Sequence, residues 1–372
     1  MTPPESSTDS GVVITEHRGP DRPAIEHITD HDPAAQVYAS PHYHAALEQI
    51  TGGRCVTLTA AEQKTGRIVG VLAYLEREHP ELGRVLNALP WFGSHGSPRV
   101  DPNLEPAEAD RVAAALAGTF ARRADAALSG TLVLSPLDTP NRHAAVARAF
   151  GPHGTLDRVA QVTPLPPPGD DALDRLLMDV FSQKTRNLVR KALRQGFDIA
   201  DEADGPDADG AWAFLAEVHA ANMHAIGATP KPAAHLATLR AMPRDMRALY
   251  VARDGGRPVA ALLTLALGRV VEYFVPAVLA EERSRQPNTA LIVRAMLDAI
   301  DAGRTTWNWG GTPPANRSLH HFKAGFGAAD RPYAYLTRLG TGGKIAGETP
   351  ESLARAFPGW FVAPYDLLGA TP

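Results

Sequence analysis

The sequence predicts a mixed α/β fold built from two similar domains, and three observations support this prediction. The chain has 372 residues, which is enough for two domains of ordinary size. The segment GRIVGVL at 66–72 resembles GRPVAAL at 256–262, and each follows a turn and opens the second strand of a predicted pair. In each half a long helix, a glycine and a strand then follow, as at 105–134 and 288–309.

The domain boundary is predicted at the stiff, proline-rich segment TPLPPPGD, 163–170. We therefore expect a mobile N-terminal segment at 1–33, a first domain at 34–165, a second domain at 166–340 and a C-terminal tail at 341–372. The N-terminal segment is rich in Pro, Ser, Thr and Asp, and the tail is rich in Gly and Pro. Each domain should contain a mixed central sheet flanked by helices.

Hydrophobic periodicity and turn residues predict the elements in order. In the first half they are a helix at 42–50, strands at 54–59, 67–77 and 84–89, a helix at 105–128, a strand at 131–134, a helix at 142–150 and a strand at 158–162. In the second half they are helices at 172–180, 183–195, 211–226 and 236–242, strands at 246–253, 258–267 and 269–275, a helix at 288–302, and strands at 305–309 and 333–339.

Composition excludes several classes of protein. The net charge is −4, so a nucleic acid could bind only at a local basic patch. The single cysteine, Cys55, excludes an internal disulfide and a zinc–cysteine cluster, which fits a reducing cytoplasm. The two pairs of neighbouring histidines lack further ligands at useful spacing, so no metal site is expected. No signal peptide is evident, and the most apolar stretch, 258–267, is too short to span a membrane.

The segment WNWGGTPPANRSLHHFKAGFG, 307–327, carries the most informative pattern in the chain. Trp307 and Trp309 alternate, so both rings should lie on one face of a strand. Gly310 and Gly311 follow, where the backbone can approach another group closely.

The helix predicted after this glycine pair carries a candidate catalytic cation. Leu319, Phe322 and Phe326 repeat at helical spacing and mark a buried stripe, and Lys323 flanks that stripe. A lysine beside a glycine break can hold a phosphate or a developing negative charge. Alternatively, its stem covers the core while its ammonium group stays in water.

A basic helix is predicted at 182–197, SQKTRNLVRKALRQGF. Lys184, Arg186, Arg190, Lys191 and Arg194 lie on it without any acidic residue, and three arginines at i,i+4 spacing repel one another. A bound phosphate or nucleic acid would offset the repulsion. Acidic residues elsewhere in the chain would do so too, and the sequence leaves both possibilities open.

Two further segments contain candidate site residues. Ser94 and His95 lie in the glycine-rich loop 93–96, which either receives a ligand or forms a turn. Glu272 and Tyr273 lie in the strand VVEYFVP. An inward carboxylate there could act as a general base, whereas an outward one would only be solvated.

These motifs together resemble the Fem family, whose members are peptidyltransferases made of two GNAT-like acyltransferase domains. The resemblance rests on SPHY at 40–43 with LPWFGSHG at 89–96, on KTRNLVRKALRQG at 184–196, and on the strand, Gly-Gly, loop and FKAGFG motif that ends at Gly327. The three motifs span most of 36–339. The first half has no counterpart of Gly310-Gly311 or Phe322-Lys323, so we expect a degenerate, substrate-binding first domain and a catalytic second domain.

The resemblance implies an N-acyltransferase that works by direct attack of an amine, without a covalent enzyme intermediate or a bound cofactor. The donor would be aminoacyl-tRNA, and the acceptor an amine of a phosphate-bearing or cell-wall precursor or of a small metabolite. By motif, Lys323 would lie near the donor phosphate or oxyanion, Phe322 would pack at the donor end, and Lys184, Arg186 and Arg190 would face donor or acceptor phosphates. With the other candidates above, the expected site residues are Lys323 and Glu272 as catalytic groups; Phe322, Trp309, Gly310, Gly311 and Tyr273 at the donor; and Lys184, Arg186, Arg190, Ser94 and His95 at phosphate or acceptor.

Two other functions remain open at this stage. Some GNAT enzymes use acyl-CoA, although RSRQP at 283–287 is a poor relative of a glycine-rich pyrophosphate loop. The fold could also serve a non-catalytic protein that binds RNA or a phosphate ligand. The chain has no coiled-coil arm, and Trp309 precedes Gly-Gly where an acidic or other aromatic residue is usual, which leaves the acceptor undecided.

Overall fold

The computed structural model describes residues 5–7, 11–88, 91, 96–313, 316–343 and 345–367. The chain divides into two compact units. Unit 1 comprises Met1–Val159 and Pro332–Pro372, and unit 2 comprises Ala160–Arg331.

The strands in chain order are β1 (Glu5–Ser7), β2 (Val12–Arg18), β3 (Arg54–Glu62), β4 (Ile68–His79), β5 (Gly83–Ala88), β6 (Arg99–Val100), β7 (Ser129–Val133), β8 (Gly154–Pro164), β9 (Asp198–Asp201), β10 (Arg247–Asp254), β11 (Arg257–Leu267), β12 (Val270–Val278), β13 (Thr306–Gly311) and β14 (Ala329–Leu339). The α-helices are α1 (Arg22–Thr29), α2 (Pro41–Thr51), α3 (Pro106–Asp125), α4 (Pro140–Phe150), α5 (Ala172–Arg175), α6 (Gln183–Leu193), α7 (Ala208–His224), α8 (Ala233–Arg240), α9 (Pro287–Asp301), α10 (Arg317–Gly325) and α11 (Pro350–Ala356). A π-helical turn at Leu176–Val180 follows α5.

Unit 1 contains a mixed sheet in the order β1-β2-β3-β4-β5-β7-β14, with β6 paired to β4. The pair β5–β7 is parallel, and the other described pairs are antiparallel. The long helix α3 packs on β7 at Gly130, where a Cβ atom would lie 2.4 Å from the Cβ of Ala124. A glycine is therefore needed for this close approach.

Both ends of the chain correct the sequence-based interpretation. Within the predicted mobile segment 1–33, β2 and α1 are ordered, and Ile25 and Ile28 are buried. Within the predicted tail 341–372, α11 is followed by the buried residues Phe357 and Trp360. The polar composition of both segments gave no sign of these elements, because a few well-placed apolar side chains are enough to anchor a short element to a core.

Unit 2 contains the end of β8 and then β13, β12, β11, β10 and β9, with β12 and β13 parallel. Helices α6 and α9 cover one face over a hydrophobic core of this unit, which includes Trp307, Trp309 and Phe326. Helices α7 and α8 lie on the other face. The predicted mixed α/β class, with a mixed sheet flanked by helices, is confirmed. No helix in the described part of the chain is long and apolar enough to cross a membrane.

Candidate active site in unit 2

The end of β13 is irregular, and glycine makes this irregularity possible. The pairing of β13 with β8 shifts by one residue between Asn308 and Gly311, which is a β-bulge. Gly310 has a φ of 70°, in the left-handed region that other residues avoid. The bulge ends the strand, and the alternating side chains before it point to opposite faces. Trp307 and Trp309 enter the core beneath α9, whereas Asn308 lies on the face of α7 and α8.

Lys323 is bound to the end of this strand. It lies on α10 between Phe322 and Phe326 of the predicted stripe, and only 3% of it is exposed. Of that stripe Phe326 is buried, whereas Leu319 and Phe322 are half-buried. Its Nζ donates to Thr312 Oγ1 at 2.8 Å, to the Gly311 carbonyl at 3.3 Å and to the Gly310 carbonyl at 3.4 Å. Burial lowers the pKa of Lys323 to about 8. The three N–H donors of the ammonium group therefore all have acceptors. Lys323 could contact an oxyanion directly only by giving up one of these hydrogen bonds.

Glu272 lies opposite Asn308 on the parallel pair β12–β13 and is 1% exposed. The Nδ2 of Asn308 donates to Glu272 Oε2 at 2.8 Å, and the Oδ1 of Asn308 accepts from the Gly310 N–H at 3.0 Å. The carboxylate is therefore inward, as the sequence required of a general base. The structure brings Glu272, Gly310 and Lys323 into one hydrogen-bonded network, through the side chain of Asn308 and the backbone of Gly310.

The predicted donor-binding aromatics lie mainly in the core. Trp309 is 3% exposed, its ring centroid is 5.0 Å from that of Tyr273, and its Nε1 donates to Thr163 Oγ1 at 2.9 Å. The Tyr273 hydroxyl accepts from Asn288 Nδ2 at 3.0 Å, and burial raises its pKa. Phe322 is half-buried and is the member of this group that lines an open pocket.

That pocket, of about 770 Å³, lies between α6 and α10. Its polar lining comprises the side chains of Ser182, Lys184, Thr185, Arg317, Ser318 and His321. Gly325 allows the two helices to meet, because a Cβ there would lie 2.4 Å from Thr185 Oγ1. The KTRNLVRKALRQG and FKAGFG motifs, remote in sequence, are therefore neighbours in the fold.

The predicted phosphate-binding residues divide into two groups. Lys184 lines the pocket, whereas Arg186 and Arg190 lie farther along α6 and do not line it. Arg186 Nη1 lies 3.7 Å from Met178 Sδ, and Arg190 is exposed. Within the described residues, none of the five cations at 184–194, four on α6 and Arg194 directly after it, forms an ion pair. Ser94 and His95 lie outside the described residues.

Sequence reasoning did not identify several residues near the site. Asn308 could have been found, because it alternates with two core tryptophans and must therefore face the other side of the sheet. Thr312 accepts a hydrogen bond from Lys323 and donates one to Gln161 Oε1 at 2.9 Å. Gln161 lies on β8, and only the fold brings it to this point.

A group of basic side chains also lies on the α7–α8 face around Phe274, two residues from Glu272. The Nζ of Lys231 lies 5.1 Å from the centroid of the Phe274 ring, and the His235 ring centroid lies 5.9 Å from it. Burial lowers the pKa of Lys231 to about 8 and that of His235 to about 3. Across the described residues, no group of three or more His, Cys, Asp or Glu could hold a metal ion.

Comparison with known proteins places this site within a recognised domain. Residues 180–324 match the family model described as an acetyltransferase (GNAT) domain. The crystal structure of FemX is similar to the chain with a TM-score of 0.63 and 16% identity, over 87% of this chain and 97% of that one. The C-terminal domain assigned to a lysylphosphatidylglycerol synthetase from Agrobacterium fabrum gives 0.51 and 14%, over 84% and 91%.

A tandem GNAT protein from the clavulanic acid biosynthesis pathway aligns with a TM-score of 0.49 and 14% identity, over 88% of this chain and 98% of that one. A comparison with curated protein sequences finds no match. At these identities the two structures with TM-scores above 0.5 show that the fold is shared.

Proposed function

We propose that this chain, an acyltransferase with a GNAT domain and a Fem-like fold, transfers an aminoacyl group from aminoacyl-tRNA to an amine. The acceptor would be a small metabolite or a phosphate-bearing precursor. One observation carries the proposal: Glu272 and Lys323 belong to a single network centred on Gly310. A buried carboxylate and a buried cation are the two groups that such a transfer needs.

The reaction proceeds by direct attack. Glu272 takes the proton that the acceptor nitrogen loses as it forms a C–N bond with the ester carbonyl carbon. The carbonyl oxygen becomes an oxyanion, and its collapse breaks the C–O bond to the tRNA ribose. The departing ribose oxygen receives the proton back from Glu272. Positive potential from Lys323, in a site that excludes water, stabilises the oxyanion through the Gly310–Thr312 segment.

The choice of a tRNA donor rests on α6. Its four cations and Arg194, which directly follows it, repel one another, and within the described part of the chain no carboxylate forms an ion pair with them. A polyanion would offset this repulsion and release counterions on binding. The pocket beside Lys184 would take a phosphate at the donor's reacting end, next to Phe322.

The test compares donors directly. Purified protein is supplied with radiolabelled total aminoacyl-tRNA or with acetyl-CoA, together with lysine, a lysine-containing pentapeptide or glucosamine as acceptor. We expect label transfer from aminoacyl-tRNA and tRNA binding that weakens steeply with salt. Arg186→Ala with Arg190→Ala should lower the log–log salt slope by roughly 0.7–0.9 per lost contact.

A matched control has the same net change in charge on other helices. Arg111 on α3 and Arg148 on α4 are exposed, and neither forms an ion pair within the described residues. Arg111→Ala with Arg148→Ala should leave the salt slope unchanged. An equal fall in both double variants would mean that only overall charge matters, and it would remove the basis for a tRNA site on α6.

A second donor is favoured by one observation, the match to a model described as an acetyltransferase domain. Transfer from acetyl-CoA, with none from any aminoacyl-tRNA, would establish the acyl-CoA-dependent alternative. Arg285, next to the N-terminus of α9, pairs with Asp254 and Glu282, and this engagement weakens the case for a CoA diphosphate there.

A further inference from the structure

We propose that Asn308 is a positioning residue for acyl transfer, whose side-chain amide holds the Glu272 carboxylate and the Gly310 peptide in one fixed arrangement. The inference rests on the proposed function, because it takes Glu272 as the proton acceptor. It adds a residue that the sequence motifs do not single out.

The orientation of the Asn308 amide follows from its neighbours. The Gly310 N–H can only donate, so the oxygen of the amide must face it, at 3.0 Å. The NH₂ group must then face Glu272, whose Oε2 accepts at 2.8 Å. Asn308 is fully buried, so water cannot substitute for either bond.

The two bonds link the base to the bulge. The bond from Gly310 back to Asn308 spans two residues and supports the left-handed φ of 70° at Gly310. The carbonyl of the same glycine accepts from Lys323. The Gly310 N–H is therefore held by Asn308, which also binds Glu272, and the Gly310 carbonyl is held by Lys323. A change in Asn308 would alter the position of both groups.

The parallel strand pair of unit 1, β5–β7, carries no carboxylate. In that pair, Asn87 on β5 lies opposite Thr131 on β7, and both are fully buried. In unit 2 the parallel pair β12–β13 instead places Glu272 opposite Asn308. A buried carboxylate is unfavourable unless it is hydrogen-bonded, so its presence in unit 2 with an amide donor points to chemistry.

The principal variant is Asn308→Asp. It keeps an oxygen for the Gly310 N–H but puts a second carboxyl group against Glu272. Two carboxyl groups in contact share a proton, which raises the apparent pKa of the pair. Because Glu272 must be ionised to accept a proton, the acid limb of kcat/KM should move to higher pH by about one unit or more, with about a tenfold loss per unit below it. The ratio of variant to wild-type activity should rise with pH.

The control is Asn222→Asp. Asn222 also clamps a backbone segment, since its amide donates to the Val278 carbonyl and accepts from the Val278 N–H, both at 3.0 Å. Val278 ends β12, the strand of Glu272, and in the described residues this amide forms no hydrogen bond to a carboxylate. Its profile should keep the wild-type acid limb.

A second variant covers the possibility that Asn308→Asp does not fold. Asn308→Thr places in β13 the residue that unit 1 carries on its own parallel pair. It should lower kcat about tenfold or more, as loss of a positioning contact does, with the donor KM unchanged. If the wild-type protein transfers no acyl group from either donor, the proposed function fails. If the wild type is active and both Asn308 variants keep its kcat and its acid limb, the inference about Asn308 is overturned.

Discussion

Lys323→Met should remove most acyl transfer without removing stability. Methionine keeps an unbranched stem of similar length in the apolar stripe and deletes the ammonium group. The change takes the Lys323 donor away from three acceptors, namely Thr312 Oγ1 and the carbonyls of Gly310 and Gly311. It also removes a cation that is 97% buried by area, since only 3% of the residue is exposed.

The effects on stability nearly cancel. A hydrogen bond to a charged group contributes about 1.5–3 kcal/mol, and only the bond to Thr312, at 2.8 Å, is short. The pKa of Lys323 is lowered from 10.5 to about 8, and at ~1.4 kcal/mol per pKa unit this represents about 3 kcal/mol of unfavourable burial of the charge. We therefore expect the free energy of unfolding to change by no more than about 1 kcal/mol.

Activity should respond far more strongly. Loss of a preorganised group that stabilises an oxyanion lowers kcat by about 10²–10³-fold. The assay measures kcat and KM for label transfer, with chemical denaturation on the same preparations. The control is Lys64→Met, because Lys64 is an exposed lysine in a turn of unit 1. It should change neither quantity.

Two results would refute this reasoning. Wild-type kcat in Lys323→Met would mean that the ammonium group takes no part in the reaction. A loss of stability near 3 kcal/mol or more would mean that the three hydrogen bonds outweigh the burial of charge, and that Lys323 mainly holds the Gly310–Thr312 segment in place.

Three further predictions concern single groups. Gly310→Ala should destabilise the protein by about 1–2 kcal/mol through its positive φ alone, since no atom lies within 4 Å of the added Cβ, and it should lower activity. Gly66→Ala, with a φ of 73° in a remote turn, should show the same loss of stability without the loss of activity. Equal activity in both variants would contradict a role for the bulge. Activity that needs the charge of Lys323 should decline above pH 8, and Lys323→Arg should remove that decline if it retains activity; a decline that persists in an active arginine variant would assign it to another group. Because burial holds the His235 pKa near 3, well below its unfolded value of 6.5, stability should fall as pH drops below 6.5, by up to ~1.4 kcal/mol per unit. Denaturation at several pH values should show that His235→Leu lowers this slope by about one proton. An unchanged slope in His235→Leu would contradict this assignment.

Several features could be predicted from the sequence because they depend on local periodicity. The alternation of Trp307 and Trp309, the helical stripe of Phe322 and Phe326, and the turn chemistry of Gly310 each follow from residues that are near neighbours in the chain. The motif resemblance then predicted a GNAT-like acyltransferase, and the match of residues 180–324 confirms that class and domain type. The residue roles and the tRNA donor stay predictions.

Other features depend on contacts between residues far apart in sequence. Glu272 gave no local sign of facing inward toward Asn308, since an alternating strand pattern is the same whichever face is buried. Gln161, Thr163 and Lys323 converge on the end of β13 only because β8 and α10 flank it in unit 2.

By itself, the sequence determined most of the helices and strands between residues 42 and 339, the fold class and the acyltransferase class, because short-range patterns and motifs encode them. Tertiary structure alone decided that Lys323 donates to Gly310, Gly311 and Thr312, and that Asn308 joins Glu272 to Gly310. The physical reason is that hydrogen-bond partners and the burial of charge depend on distance in space, and strand pairing sets that distance between residues that lie tens of positions apart in the chain.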